Sequence, residues 1–194
     1  GAAGADGPGG SDKGHVRIYR NIDGAWTQVG GDIDNPTGNN FGKSVSLSAD
    51  GSRVAIGAPY NNTSNGAGSG LVRVYHITDG IWTQIGSDID GEAAYDMFGS
   101  SVSSSADGAT VAIGAYYNDG NGDKSGQVRV YRNIDSTWTQ IGSDLDGEAI
   151  GDQSGYSVSL SADGSTVAIG ARSNDGNGSV AGHVRVYRNV DSVW

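Results

Sequence analysis

The residues with most chemistry in them are carboxylates that return in register. "SDIDGEAAYD" carries Asp88, Asp90, Glu92 and Asp96, and "SDLDGEAIGD" carries Asp144, Asp146, Glu148 and Asp152. Oxygen clusters of this kind either hold a hard cation or pair with arginine. Recurrent Arg73, Arg129 and Arg185 favour ion pairing and turn capping over a cation bound across this acidic seam. A second cation candidate is "NDGNGDKSG", with Asp119, Asn121 and Asp123 at alternate positions, repeated in "NDGNGSVAG" as Asp175, Asn177 and Ser179. The spacing matches the start of a calcium loop, but the twelfth position from Asp119 is Val130, where a closing Glu is needed. A Gly/Asn/Asp surface turn is the simpler reading, so no cofactor is required and Ca²⁺ is the one cation to test.

Other chemistry is sparse. His15 and His183 occupy one repeated position that Leu71 and Gln127 fill elsewhere, and no Ser/His/Asp group, His cluster or phosphate loop stands out. The carboxylate pairs recur with the repeat, whereas a catalytic site is a local exception to symmetry; no enzyme is expected. Asn61, Asn62 and Asn177 each begin an Asn-x-Ser/Thr sequon, the acceptor pattern for glycosylation of a secreted chain. Lys+Arg is 12 against Asp+Glu 22, a net charge of −10 that repels phosphate backbones and argues against nucleic acid. Cysteine is absent, which excludes disulfides and thiolate metal sites, and no apolar run is long enough for membrane insertion.

The elements that carry these residues repeat. Trp26, Trp82, Trp138 and Trp194 are each 56 residues apart, and "VAIGA" starts at Val54, Val111 and Val167. "VRIYR", "VRVYH", "VRVYR" and "VRVYR" start at Val16, Val72, Val128 and Val184. Three series at one period make a tandem array. Each unit holds four strand-like stretches: in the second, "SVSLS" (44–48), "RVAIGA" (53–58), "LVRVYH" (71–76) and "IWTQIG" (81–86). "SADGS" joins the first two, with Asp50-Gly51 suited to a tight positive-φ turn. The expected class is all-β: tandem four-stranded antiparallel blades of about 56 residues, of β-propeller type. Small residues in the first two strands suit a crowded axis, and the repeated Trp reads as a packing residue between blades rather than a ligand platform.

"FGKSVSLSADGSRVAIGAP" (41–59) resembles an FG-GAP repeat, with Phe41-Gly42 and Gly57-Ala58-Pro59 in the places that name that family. The likeness loosens along the chain. Phe98-Gly99 is kept but the next unit has Ser154-Gly155, and Gly-Ala-Pro becomes Gly114-Ala115-Tyr116 and Gly170-Ala171-Arg172. FG-GAP repeats build the propellers of integrin α-subunits, fungal lectins and bacterial surface proteins. The resemblance therefore implies a propeller and an extracellular or cell-surface protein. The family's Asp-rich calcium loop does not carry over, because "SADGS" offers one carboxylate per turn.

The expected organisation is a partial blade of two outer strands (1–40), blades at 41–97 and 98–153, and a blade at 154–194 cut in its outermost strand, about three and a half in all. The opening "GAAGADGPGG" reads as the middle of a loop. The expected protein is a non-catalytic extracellular structural or cell-adhesion scaffold, a segment of a longer or self-assembling array. Its partners are then copies of itself or flanking repeats, with glycans or surface proteins beyond them. The alternative is a lectin-like, glycan-binding propeller assisted by calcium. Tyr60, Tyr117 and Ser173 align in its candidate loops, so the aromatic is lost once in three, which tilts the reading towards scaffold.

Overall fold

The computed structural model describes residues 1, 14–35 and 40–194; the loop expected at the start of the chain lies mostly outside them. Every regular element among the described residues is a strand. In order these are β1 (His15–Val16), β2 (Tyr19–Ile22), β3 (Ala25–Gln28), β4 (Ile33–Asp34), β5 (Ser44–Leu47), β6 (Arg53–Ala58), β7 (Leu71–Thr78), β8 (Ile81–Gln84) and β9 (Ile89–Asp90). They continue as β10 (Ser101–Ser104), β11 (Thr110–Ala115), β12 (Gln127–Ile134), β13 (Thr137–Gln140), β14 (Leu145–Asp146), β15 (Ser154–Leu160), β16 (Thr166–Ala171) and β17 (His183–Arg188). Sheets run β5-β6-β7-β8, β10-β11-β12-β13 and β15-β16-β17, with β9 returning to β7 and β14 to β12. The first unit contributes the pairs β1-β4 and β2-β3, and all these ladders are antiparallel.

Two local readings change. The outer strand does not end at Gly86: Tyr75 faces Gln84 but Val72 faces Ile89, three steps on one strand against five on the other. Gly86, at φ +69°, turns the chain out, and Ile89 re-enters the sheet with a buried side chain. The acidic crossing therefore begins only at Gly91, and Asp88 sits in the bulge. In the "SADGS" turn only Gly51 takes positive φ (71°). Asp50 instead organises the turn as an acceptor, taking the Ser48 hydroxyl at 2.6 Å and the Ser52 N–H at 2.9 Å. Asp107 and Asp163 repeat the arrangement.

The apolar cores lie between units, not within them. Val16, Ile18 and Ile33 of the first unit pack with Phe41, Val54, Ile56 and Tyr75 of the second. Val72, Val74 and Ile89 meet Phe98, Val111, Ile113 and Tyr131 at the next junction. At the third, Val128, Val130 and Leu145 meet Val158, Leu160, Val167 and Ile169. Each junction is also bridged by one indole: Trp82 Nε1 donates to the Val29 carbonyl at 2.9 Å, Trp138 to Ile85 at 2.8 Å and Trp194 to Ile141 at 2.7 Å. Gly30 and Gly142 leave room for these rings, since a Cβ there would lie 2.8 Å from Trp82 Cδ1 and 2.5 Å from Trp194 Cδ1.

The inner edges touch through serine and glycine. Ser44 Oγ donates to the Gly99 carbonyl at 2.7 Å and Ser101 Oγ to that of Gly155 at 2.8 Å. Backbone bonds from Ala49 N–H to Ala106 C=O and from Ala106 N–H to Ala162 C=O, both 2.8 Å, continue the contact around the turns. A Cβ at Gly114 would stand 2.1 Å from the Gly155 carbonyl oxygen, backbone against backbone. Gly114→Ala is expected to destabilise the chain by about 2–3 kcal/mol through overpacking. Gly31→Ala, where a Cβ meets nothing within 4 Å, should be neutral or slightly stabilising. Urea unfolding of the two variants checks this, and equal midpoints would refute the account of the inner edge.

Candidate functional site

The bulge after Gly86 places Asp88 opposite Arg73, and the pair forms a fork: Nε and Nη2 donate to the two carboxylate oxygens at 2.8 Å each. Gln84 Nε2 adds a third bond to Asp88 at 2.8 Å. Burial pushes the Asp88 carboxyl up, but the Arg73 fork and Gln84 outweigh it and hold it below the usual range. Arg17, Gln28 and Asp32 repeat the fork on the first unit, where the Arg17 hydrogen bonds bring Asp32 down to about 2. Asp90 has no such partner; burial, then the Asp88 charge, push it up.

The third unit breaks the pattern. Gln127, standing where Leu71 stands, accepts the Arg129 Nε hydrogen at 2.9 Å and turns that guanidinium away from Asp144. Arg129 reaches instead to Glu92 at 3.4 Å and the Tyr131 hydroxyl at 3.0 Å, and lies over the Phe98 ring at 4.7 Å. It is 5% exposed, and its Nη2 has no hydrogen-bond partner. Asp144 keeps only the Gln140 amide at 2.8 Å, and Asp146 takes that of Gln127 at 3.2 Å. In the last unit Arg185 pairs with Glu148, which also faces His183. Asp96 and Asp152 are buried and cap their own crossings, accepting from Asn118 and Ala93 and from Asn174 and Ala149. Burial is the main influence on Asp96 and raises its pKa.

The alternating loops do not converge on a cation position. Asp119 Oδ1 accepts the Lys124 N–H, Asp175 Oδ1 accepts the Val180 N–H, and Asn121 Nδ2 donates across to the Gly147 carbonyl at 2.8 Å. Asp123 lies exposed beside Lys124 at 3.8 Å, and Asn177 and Ser179 are exposed. Among the described residues no three His or acidic side chains are grouped to hold a metal. Of the sequons, Asn62 and Asn177 are exposed, whereas Asn61 is buried, 5% exposed.

One concavity brings together residues that the sequence shows only as separate departures from the repeat. Lys43, Pro59, Tyr60, Ser100, Tyr116 and Tyr156 line a cavity of about 200 Å³. Lys43, Ser100 and Tyr156 follow the Phe-Gly position of three successive units, and Pro59 and Tyr116 follow Gly-Ala. Because each first strand starts where its second strand ends (Ser44 faces Gly57), both positions meet at one end of the array. Tyr116 packs against Tyr117 (centroids 4.5 Å apart) and edge-on against Tyr156 (5.4 Å). Arg172 lies over Tyr156 at 4.0 Å and is held by Gln153 at 2.6 Å. The legible signal was departure from the repeat at these two positions.

Two tests follow from the electrostatics. Asp32 and Asp163, both near 2, and Asp50, lower still, are held down by hydrogen bonds from Arg17, Ser161 and Ser48 respectively. Depressed carboxyls contribute stability that is complete above their unfolded value of about 3.9 and lost as pH falls towards the folded values. Asp90 and Asp96, pushed up chiefly by burial, act in the opposite sense. The melting temperature should therefore hold from pH 7 to about 5 and fall steeply between about 4 and 2; an unchanged melt at pH 2.5 would contradict the turn geometry. Arg73→Met should cost about 1–3 kcal/mol by leaving Asp88 half-buried without its fork. Arg129→Met should be neutral or stabilising, because it removes a buried guanidinium with an unmet hydrogen-bond donor. Urea denaturation of both variants reads the contrast.

Comparison with known proteins agrees with the repeat. No curated protein matches the chain significantly. A "putative 6-phosphogluconolactonase" of Bacteroides uniformis is similar in structure, with a TM-score of 0.62 and 11% identity, over 93% of this chain and 46% of that one. Kuenenia stuttgartiensis hydrazine synthase gives a TM-score of 0.49 and 15% identity, over 81% of this chain and 36% of that one. This chain thus spans less than half the length of either, and the first likeness shows a shared fold alone. The profile of the FG-GAP repeat matches residues 88–131, from the Asp88 bulge through the Phe98-Gly99 corner to the end of the "VRVY" strand. That stretch covers most of one 56-residue period of the array, and over it the chain is similar to an FG-GAP repeat.

Proposed function

We propose that the chain is a non-catalytic extracellular scaffold of β-propeller-type blades whose end faces take further units of the same kind, as flanking repeats or as a second copy. The observation that carries this reading is a set of exposed apolar residues whose repeat equivalents are covered at the junctions. Val72, Val74, Val128 and Val130 are buried at junctions, while their equivalents Val184 and Val186 are 69% and 67% exposed. On the opposite face Trp26 is 71% exposed, whereas Trp82, Trp138 and Trp194 each close a junction. Val45 and Leu47 are likewise open, while Leu160 at the equivalent position is buried. Exposed apolar side chains at positions buried elsewhere in the array mark candidate interaction surfaces.

A structural role is further supported by how the charged groups are engaged: most of the recurrent carboxylates, Asp90 and Asp123 apart, cap turns or meet arginine and amide partners inside the array. No helix among the described residues is long and apolar enough to cross a membrane. The acidic surface and the FG-GAP repeat suit a secreted or cell-surface setting, where adhesion is the corresponding task. Sedimentation velocity across a concentration series provides the test. Association that grows with concentration and is abolished by Val184→Asp with Val186→Asp is the expected result. A monodisperse 19.7 kDa species at every concentration would overturn the open-face reading.

A further inference from the structure

At the tyrosine-lined concavity at the strand-two end of the array, three units place different side chains around a common space. We propose that it binds the terminal ring of an acidic saccharide, a pyranose carrying a carboxylate. The proposal is independent of association through the end faces: either can fail while the other holds.

Four features of the concavity point to that ligand. Its walls include phenol rings presented at an angle to one another, Tyr116 and Tyr156 edge-on at 68°, and Tyr60 also lines it. Half-exposed rings of this kind stack on the C–H face of a sugar, and their hydroxyls exchange hydrogen bonds with its hydroxyls. Tyr60 and Tyr156 are 36% and 44% exposed, so this aromatic surface is open to solvent. The rings are also set in place beforehand. Arg172, itself tied to Gln153, lies over Tyr156, and the Tyr116 hydroxyl rests against Met97 Sδ at 3.6 Å. Pre-positioned rings lower the ordering cost of binding.

The charge selects the class. In a chain of net charge −10, the concavity is lined by Lys43 and, among the described residues, by no carboxylate. Lys43 has no ion-pair partner among the described residues. Arg172 over Tyr156 adds positive charge nearby. A cluster of tyrosines alone would suit a quaternary ammonium group, but an ammonium at its rim repels one and attracts a carboxylate. The volume, about 200 Å³, is below that of drug-sized sites and suits a single ring. Lys43 then meets the carboxylate while Tyr60, Tyr116 and Tyr156 enclose the ring.

The test is titration of the isotope-labelled chain with methyl glucuronide and, separately, with methyl glucoside, followed by NMR. The expected result is saturable binding of the glucuronide with a Kd of about 1 mM, with shifts centred on Tyr60, Ser100, Tyr116 and Tyr156. The neutral glucoside should bind about tenfold more weakly. Lys43→Gln, a change at an exposed side chain, should abolish that preference, and Tyr156→Ala should remove binding of both sugars. Tyr95→Ala, exposed and outside the concavity, should change neither. No saturable binding of the glucuronide, equal affinity for the two sugars, shifts confined to another region, or an unaltered preference in Lys43→Gln would each overturn the proposal.

Discussion

An indole N–H reaching across to a neighbour's backbone carbonyl is the contact on which the array depends. A tryptophan partly buried at a junction needs a partner for its one donor, and at each junction that partner is the residue just before the glycine that bends the outer strand. The bond therefore requires the bend, the bend lets the second isoleucine or leucine of each outer strand return to the core, and the same excursion puts an aspartate within reach of arginine. These features come as a set. Since the cores lie between sheets, no unit holds a core of its own, and stability is a property of neighbours.

This arrangement accounts for which residues vary. Positions facing a neighbour, such as the Val-Ala-Ile-Gly-Ala strand and the tryptophan, recur with little change because a change alters a junction. The position occupied by His15, Leu71, Gln127 and His183 varies freely, and Gln127 shows the local consequence, diverting Arg129 from the aspartate that its counterparts would choose. Ser154, in place of Phe41 and Phe98, keeps the backbone bond of the motif: its N–H meets the Ser125 carbonyl as that of Phe98 meets Ser69. The aromatic can be lost because the corner is held by its backbone.

The period, the four strands per unit and the packing role of tryptophan were legible in the sequence, since each rests on residues repeated at fixed spacing. The return of Ile89 to the sheet was not. Ile85 and Ile89 are four apart with glycine and aspartate between them, which breaks the alternation that identifies a strand. Burial of Asn61 was equally hidden, because a sequon describes chemistry and not exposure. The tyrosine concavity was the least visible feature. Its members are far apart in sequence and occupy positions where the copies disagree, so a reading built on what repeats passes over them.

The inner edges have a consequence for shape. Adjacent sheets approach at one end through a serine hydroxyl and a bare glycine, and at the other through a full indole. The difference in thickness between those contacts makes each unit a wedge, and its angle is set by side-chain volume. Substitutions along the serine strand would act as shims that open the angle, and smaller groups in place of tryptophan would close it. How tightly such an array curves, and whether successive wedges meet in a ring or climb past one another, is thus written in the sizes of two residues per unit.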